Sequence, residues 1–207
     1  MRTRTFAMAA GAVALTGVAA MALAPLWRGP ADAFAPCREG QVAGGDIGGP
    51  FTLVNGEGAT VTDRDVIAEP SILYFGYTFC PDICPLDAAR NAEAVRILEE
   101  RGIAATPVFI SIDPERDTPE AVGDFARSLH PRMIGLTGTE EQVAAASRAY
   151  RTYYARQDGD PDYYLMDHST FSYLVLPEVG FVDFVSREEA PEAVADRLQC
   201  FAEAAEA

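Results

Sequence analysis

The feature that most constrains the fold is an apolar strand that leads into two cysteines, each followed by a proline. Ile72 to Phe75 has the composition of a buried strand, and Cys80-Pro81-Asp82-Ile83-Cys84-Pro85 comes shortly after it. A residue before proline is disfavoured in the α region, so neither cysteine is expected inside a helix. We predict that Cys84 is an N-cap and that Pro85 takes the first helical position, where a missing N–H costs nothing. The segment therefore predicts a strand, a loop and a helix whose positive end faces the thiols.

Two thiols at a helix N-terminus are compatible with several chemistries. The helix dipole is expected to lower the pKa of both thiols and to favour the thiolates, which bind soft metals, attack disulfides and react with peroxide. The three-residue spacing is wider than that of thioredoxin-type redox enzymes. On such a loop two thiolates can converge on one metal at about 2.3 Å. A plain local disulfide in an exported protein fits the same spacing.

The chain contains two histidines that could supply a third ligand. His168 lies in a polar step before a predicted strand, where loops offer side chains to a site, although an ordinary hydrogen-bonded histidine fits this position too. His130 closes a predicted helix, so helix capping explains it and we expect a structural role. Zinc prefers four ligands, whereas Cu(I) accepts two or three. Two thiolates and one imidazole therefore favour copper.

The rest of the pattern predicts strands that alternate with helices. The predicted strands are 51–54, 71–76, 106–112, 171–176 and 180–185, and the predicted helices are 85–101, 118–129, 139–150 and 190–205. Such an order, finished by a hairpin and one more helix, indicates an α/β fold with a mixed central sheet flanked by helices. A thioredoxin-like architecture is the natural candidate.

The N-terminal segment predicts where the protein resides. No charged residue lies between Arg4 and Arg28, and a helix over this run measures roughly 35 Å, enough to cross a bilayer core of about 30 Å. The early arginines precede the run, so the positive-inside rule exports everything after it. We predict a transmembrane anchor over 1–28, a Gly/Pro-rich tether over 29–50 and a folded domain over 51–207 on the periplasmic side of the inner membrane. A cleaved signal peptide is the alternative to the anchor.

The charged residues exclude several function classes. Acidic residues outnumber basic ones by 31 to 16, which gives a formal net charge of -15. Nucleic acid is therefore not expected as a partner. All 16 cations are arginine, so P-loop chemistry and lysine Schiff-base chemistry are both excluded.

Five separated motifs, in one order along the chain, resemble those of the Sco/SenC family of membrane-tethered copper-binding proteins with a thioredoxin-like fold. The motifs are Gly49–Leu53, Tyr74–Pro85, Ile112–Pro119, Gly135–Gly138 and Asp167–Ser169. The resemblance implies that Cys80, Cys84 and His168 bind one copper ion per chain, as Cu(I), Cu(II) or both. It also implies a role in assembling the CuA centre of cytochrome c oxidase subunit II, with copper received from a donor protein.

Three functions remain open at this point, in order of preference. In the first the protein is not an enzyme but a metallochaperone that passes copper by ligand exchange. In the second it is a thiol-disulfide oxidoreductase that reduces the oxidase subunit, with Cys80 attacking and Cys84 resolving. In the third it is a thiol peroxidase that forms a sulfenic acid on one activated thiolate.

Several residues outside the cysteine motif have two interpretations each. Cys37 and Cys200 either form a structural disulfide across a very long loop or are unpaired, with Cys200 buried and Cys37 exposed, where it is incidental or a lipid or mixed-disulfide site. Asp113 and Asp117 either orient His168 or the metal from behind, or cap the following helix and shape its turn. A group of tyrosines before His168 is either a docking surface or part of the core: Tyr150, Tyr153, Tyr154, Tyr163 and Tyr164.

Overall fold

A computed structural model of the chain describes residues 33–38, 47–160 and 163–206. The predicted anchor over 1–28 lies outside these residues and stays a prediction, as does most of the tether. In the part of the chain that is described, no helix is both long enough and apolar enough to cross a membrane. The compact unit that contains the domain runs from Pro36 to Ala207.

The elements follow the predicted alternation, with short additions. The strands are β1 (Thr52–Asn55), β2 (Thr60–Thr62), β3 (Ser71–Gly76), β4 (Thr106–Ser111), β5 (Ile134–Thr137), β6 (Tyr154–Arg156), β7 (Met166–His168), β8 (Ser172–Leu176) and β9 (Gly180–Val185). The helices are α1 (Asp63–Val66), α2 (Ile83–Glu100), α3 (Pro119–Leu129), α4 (Glu140–Ala149) and α5 (Pro191–Glu206), after a 3-10 turn at Ala35–Cys37. Every strand and helix predicted from the sequence is present within about two residues of its expected bounds.

Within the described residues, seven strands form one mixed sheet in the order β2-β1-β5-β4-β3-β8-β9. The neighbours β3, β4 and β5 are parallel, because α2 and α3 provide the crossover connections between them. The pairs β3–β8, β8–β9, β1–β5 and β1–β2 are antiparallel. This arrangement confirms the predicted α/β fold with a mixed central sheet flanked by helices.

The centre of the sheet determines where the cysteines lie. Every residue of β3 and β4 is buried, as expected for parallel strands covered on both faces. The chain leaves β3 at Gly76 and enters α2 at Ile83, and the backbone N–H of Ile112, just after β4, donates to the carbonyl of Gly76 at 2.8 Å. The segments after β3 and β4 therefore lie side by side at the carboxyl edge of the sheet, the usual place for a site in α/β folds.

A second, smaller sheet lies outside the central one. Strands β6 and β7 pair with each other, with Tyr154 opposite His168 and Arg156 opposite Met166. These strands are half-buried or exposed, in contrast to the buried strands of the central sheet. We call the described residues 154–160 and 163–168 the histidine hairpin, because His168 is the last of them.

The C-terminal helix is bonded to the start of the compact unit. Cys37 and Cys200 form a disulfide, with their Cα atoms 5.6 Å apart. Arg101, at the C-terminal end of α2, pairs with Asp196 of α5 at 2.7 Å, one turn before Cys200. The disulfide therefore lies towards the end of α2 that is opposite Cys84. Further along, the N–H of Gly48 donates to the carbonyl of Ala149 at 2.9 Å, so described parts of the predicted tether contact the domain.

Candidate metal centre

Three side chains converge at the carboxyl edge of the sheet. One ligand atom from each of Cys80, Cys84 and His168 lies within 4.8 Å of the other two. Cys84 Sγ is 3.4 Å from His168 Nε2. Cys80 comes from the loop 77–82, which we call the cysteine loop, Cys84 from the first turn of α2, and His168 from the end of the histidine hairpin. The fold thus brings together the three residues that the sequence proposed as ligands.

The start of α2 differs from the prediction. The helix begins at Ile83 with Asp82 as its N-cap, so Cys84 lies inside the first turn and is not the N-cap. Pro85 is tolerated there, because N–H groups of the first turn have no partner within the helix. The N–H of Cys84 instead donates to Cys80 Sγ at 3.3 Å. That sulfur takes the place of a capping side chain.

The two thiols differ in acidity. Partial burial of Cys80 raises its pKa, but N–H donation to its sulfur from Cys84 and Asp82 more than offsets this, and the net pKa is lowered. Burial raises the pKa of Cys84, which is 0% exposed. The prediction of two lowered pKa values is therefore right for Cys80 and wrong for Cys84, since desolvation outweighs the helix dipole at the inner sulfur. A cation bound between the sulfurs would deprotonate Cys84 as it binds.

The imidazole of His168 is held in the form that binds metals. Its Nδ1 lies 2.8 Å from the carbonyl oxygen of Ser169 and can donate a proton to it, which leaves the Nε2 lone pair facing Cys84. Burial lowers the pKa of His168, so the ring is neutral at pH 7. The rings of Tyr74 and Tyr77 meet it edge to face, at centroid distances of 6.2 and 5.9 Å.

The floor of the site depends on a residue that the sequence analysis did not single out. A Cβ on Gly76 would lie 3.0 Å from Cys84 Sγ and 2.8 Å from the ring of Tyr74. Only glycine lets the strand end pass this close beneath the inner sulfur. Behind it, the hydroxyl of Tyr74 donates to Asp87 at 3.1 Å, and burial raises the pKa of Asp87.

Asp117 supports the cysteine loop. Its carboxylate accepts hydrogen bonds from the N–H of Thr78 at 3.0 Å, from the hydroxyl of Thr78 and from the hydroxyl of Ser111 at 2.6 Å. Burial raises the pKa of Asp117. The helix cap predicted for it is provided by Thr118, whose side chain accepts from the N–H of Ala121. Asp117 therefore joins the segment after β4 to the segment after β3.

Asp113 contacts the histidine hairpin but not the imidazole ring. It accepts hydrogen bonds from Arg116 Nε at 2.6 Å and from the hydroxyl of Tyr164 at 2.8 Å. The partner of His168 Nδ1 is the carbonyl of Ser169, so the hydrogen bond that orients the ring comes from neither Asp113 nor Asp117, while their role towards a bound metal stays a prediction. Each carboxylate instead bonds to a segment that carries a ligand: Asp117 to the cysteine loop and Asp113 to the histidine hairpin.

The remaining candidates are placed as follows. His130 is the C-cap of α3 and is buried. Its Nδ1 accepts from the N–H of Arg132 at 3.2 Å and its Nε2 lies 3.5 Å from Glu99, contacts that fit a structural role.

The five tyrosines named in the sequence analysis differ in their exposure to solvent. Two are buried in the fold (Tyr150 and Tyr164), one is half-buried (Tyr154) and two are exposed (Tyr153 and Tyr163). The five therefore do not form one docking surface.

The donor set fits a soft cation. Two sulfurs and one imidazole nitrogen match the preference of Cu(I) for thiolate and imidazole at low coordination number. Cys80 and His168 are half-buried, whereas Cys84 is buried, so the site is open to an incoming ligand on the side away from Cys84.

Comparisons with known proteins agree with this geometry. Residues 39–203 match the SCO1/SenC family model. The chain is 52% identical to Protein SenC of Rhodobacter capsulatus over 98% of its own length and 92% of that protein. It spans about half of some longer relatives, for example 48% of the Arabidopsis thaliana mitochondrial SCO1 homolog 1, to which it is 42% identical over 77% of its own length.

Solved structures show the same fold. A crystal structure of Arabidopsis thaliana ScoI with copper bound superposes with a TM-score of 0.71 at 40% identity, over 76% of this chain and 99% of that one. BsSco, a member of the Sco family of cytochrome c oxidase assembly proteins, shares the fold alone, with a TM-score of 0.57 at 23% identity over 73% of this chain and 91% of that one. The convergence of two cysteines and one histidine on a thioredoxin-like scaffold, and the match along most of the chain, lead to one conclusion: the chain belongs to the SCO1/SenC family.

Proposed function

We propose that this protein is a copper chaperone that assists assembly of the CuA centre of cytochrome c oxidase, holding one copper ion per chain between Cys80, Cys84 and His168. The observation that carries the proposal is the convergence of these three ligand atoms within 4.8 Å. Family membership and the copper-bound Arabidopsis relative support it.

The unequal exposure of the ligands supports transfer by ligand exchange. Cys80 is half-buried and has the lower pKa, whereas Cys84 is buried and has the higher one. A thiolate of subunit II can approach copper from the side of Cys80, so that a new bond forms before the Cys84 and His168 bonds break. Copper itself would arrive in the same way from a donor protein.

The location proposed for the domain comes from the sequence. The uncharged run between Arg4 and Arg28 supports a single anchor in the inner membrane, with the domain on the periplasmic side. Subunit II would then be met on that side of the membrane.

One observation favours a second function, thiol-disulfide exchange with subunit II. Cys80 and Cys84 are both free thiols, and only the outer one combines a lowered pKa with exposure to solvent. An exposed attacking thiolate beside a buried resolving thiol is the arrangement that such exchange uses. His168 would then be dispensable.

The test is an anaerobic Cu(I) titration of the purified chain against a competing chelator, with Cys80 and Cys84 reduced. The proposal predicts saturation at one copper per chain and a marked loss of affinity in His168→Ala. Because reduction can also open the Cys37–Cys200 disulfide and supply two more thiols, the double variant Cys37→Ser/Cys200→Ser is the control for stoichiometry. Weak binding that is indifferent to His168→Ala would overturn the chaperone function and leave the exchange function.

A further inference from the structure

The histidine hairpin needs a means of attachment, because it lies outside the central sheet. Its strands pair with each other and not with the seven strands that carry the cysteine loop. The N–H of Met166 in the hairpin donates to the hydroxyl of Tyr77 in the cysteine loop at 3.3 Å, which joins the two segments directly. Further polar contacts between described residues join the hairpin to the segment after β4: Arg116 and Asp113 bond to Tyr164, and Glu115 bonds to Arg156.

Arg116 lies at the junction of all three segments. Its side chain is 13% exposed, and its Nε donates to Asp113 in the segment after β4 at 2.6 Å. Its Nη1 donates to the backbone carbonyl of Tyr164 in the hairpin at 3.0 Å. Its guanidinium carbon lies 4.8 Å from the ring centroid of Phe79 in the cysteine loop.

Aromatic rings surround the remainder of the guanidinium group. Its central carbon is 3.5 Å from the ring centroid of Tyr164 and 5.8 Å from that of Tyr77. Nη2 is buried and has no hydrogen-bond acceptor among the described residues, so the rings are what it faces. The hydroxyl of Tyr164 returns to Asp113 at 2.8 Å, which closes a cycle through Arg116, Tyr164 and Asp113.

We propose that Arg116 is a positioning residue that holds the histidine hairpin against the cysteine loop and thereby sets His168 over Cys84. Arginine suits this role because its planar fork donates in two directions while its face stacks on aromatic rings. Lysine has one compact ammonium group and cannot reproduce both donations together with the stacking. Arg116 is not a copper ligand in this proposal, and it acts through the hairpin.

The proposal has a readout that does not depend on copper. Cys84 is fully buried and His168 lies against its sulfur, so an opening of the hairpin exposes the thiol. We would measure the rate at which iodoacetamide alkylates Cys84 in the reduced, copper-free full chain, by peptide mass spectrometry. Arg116→Met is expected to raise this rate about tenfold or more, and Arg116→Lys to raise it less.

A matched control is available in α3. Arg127 donates to Asp124, three residues earlier, at 2.6 Å, the same spacing and distance as for Arg116 and Asp113, but its side chain is 51% exposed. In Arg127→Met, Cys84 should be alkylated at the wild-type rate. Hydrogen exchange separates local from global effects: in Arg116→Met the amides of residues 154–160 and 163–168 should exchange faster, while those of β3 keep their protection.

The second readout is the Cu(I) affinity, which rests on the proposed function. Arg116→Met should weaken binding by roughly 10–100-fold, the effect usual for a residue that orients a ligand. Wild-type alkylation and hairpin exchange rates in a folded Arg116→Met protein would overturn the positioning role. If Arg116→Met does not fold, Arg116→Lys and Tyr164→Phe, which removes the hydroxyl that bonds to Asp113 and Glu115, must each raise the alkylation rate, and wild-type rates in both would overturn it. Failure of wild-type protein to bind copper would overturn the proposed function and leave the alkylation result unaffected.

Discussion

The cysteine loop follows β3, a strand buried along its whole length in the central sheet, whereas His168 ends a hairpin that pairs only with itself. Asp117 accepts a hydrogen bond from the N–H of Thr78 in the cysteine loop, and Gly76 lies beneath Cys84 at the start of α2, so both sulfurs rest on the buried core. The hairpin is half-buried and depends on side-chain contacts centred on Arg116.

This difference suggests how one site can both hold and release a metal. Two sulfurs on a rigid support remain in place, whereas an imidazole on a separately attached hairpin can leave without disturbing the sheet. Segments with few buried contacts open at lower free energy than core strands. We therefore expect His168 to be the ligand that moves first during transfer.

The two cysteines and the core beneath them form the rigid half of the site, and the histidine hairpin forms the other half. Removal of Cys84 from the rigid half should have the largest effect on Cu(I) affinity. In Cys84→Ser the buried sulfur is replaced by a poor ligand for Cu(I), and we expect a loss of affinity well beyond the roughly 100-fold that loss of a supporting residue causes. The chelator competition titration measures it. The variant Cys37→Ser/Cys200→Ser should retain wild-type affinity, and a similar loss in both would show that any cysteine change perturbs the site.

Removal of the ligand from the hairpin should cost less. His168→Ala leaves both sulfurs in position, so we expect Cu(I) affinity to fall about 100-fold, or about 2.7 kcal/mol. Disulfide formation between Cys80 and Cys84 should still occur, as followed by thiol titration. An affinity loss equal to that of Cys84→Ser would contradict the distinction between the two halves.

Loss of the Cys37–Cys200 disulfide should affect stability and leave both halves of the site intact. Its loop is long, with a sequence separation of 163, and removal of a native disulfide typically costs about 2–5 kcal/mol. We expect Cys37→Ser/Cys200→Ser to lower the free energy of unfolding by an amount in this range, measured in urea under non-reducing conditions. An unchanged unfolding midpoint would argue against the bond in solution.

Gly76→Ala tests how tightly the rigid half is packed. The added methyl group would meet Cys84 Sγ and the rings of Tyr74 and Phe109 at 2.8–3.1 Å, and overpacking of this kind costs about 1–3 kcal/mol. Denaturant unfolding gives the change in stability. The control is Gly159→Ala, where the added methyl group meets nothing within 4 Å and the free energy of unfolding should not change. Gly58 is less suitable because its positive φ would strain any other residue. Equal effects at Gly76 and Gly159 would show that the floor of the site is loosely packed.

The smallest effect is expected at His130, which lies away from the hairpin in the cap of α3. Burial lowers its pKa below 6.5, so the unfolded chain binds more protons than the folded one just below that pH. The free energy of unfolding should therefore fall as the pH drops through this range. His130→Gln should reduce the slope, with a change under about 1 kcal/mol and unaltered Cu(I) affinity. The wild-type slope in this variant would rule out His130 as its source.

The same division explains how much of the molecule could be predicted from its sequence. The strand β3, the cysteine loop and α2 are encoded by neighbouring residues, through an apolar run, two Cys-Pro pairs and a helical pattern. The error at Cys84 was small in position but reversed the direction of its pKa, because its burial depends on how the whole chain folds over the sulfur, with His168 from 84 residues away against it, and not on where the helix starts.

The histidine hairpin was not predicted from the local pattern. Each of its strands has three residues, too few for a periodic signal. His168 became a candidate through its place in a polar step before a predicted strand and was assigned by the resemblance, not by its spacing to the cysteines. Contacts such as Asp117 with Thr78, 39 residues apart, and Arg116 with Tyr164, 48 residues apart, become visible only in the folded chain.

The most direct test of a copper centre shared between the cysteine loop and the histidine hairpin is X-ray absorption spectroscopy of the protein loaded with one equivalent of Cu(I). We predict a first shell of two sulfurs and one nitrogen, with the nitrogen contribution lost in His168→Ala and both sulfurs retained. A shell made of sulfur alone in the wild-type protein would contradict the shared site.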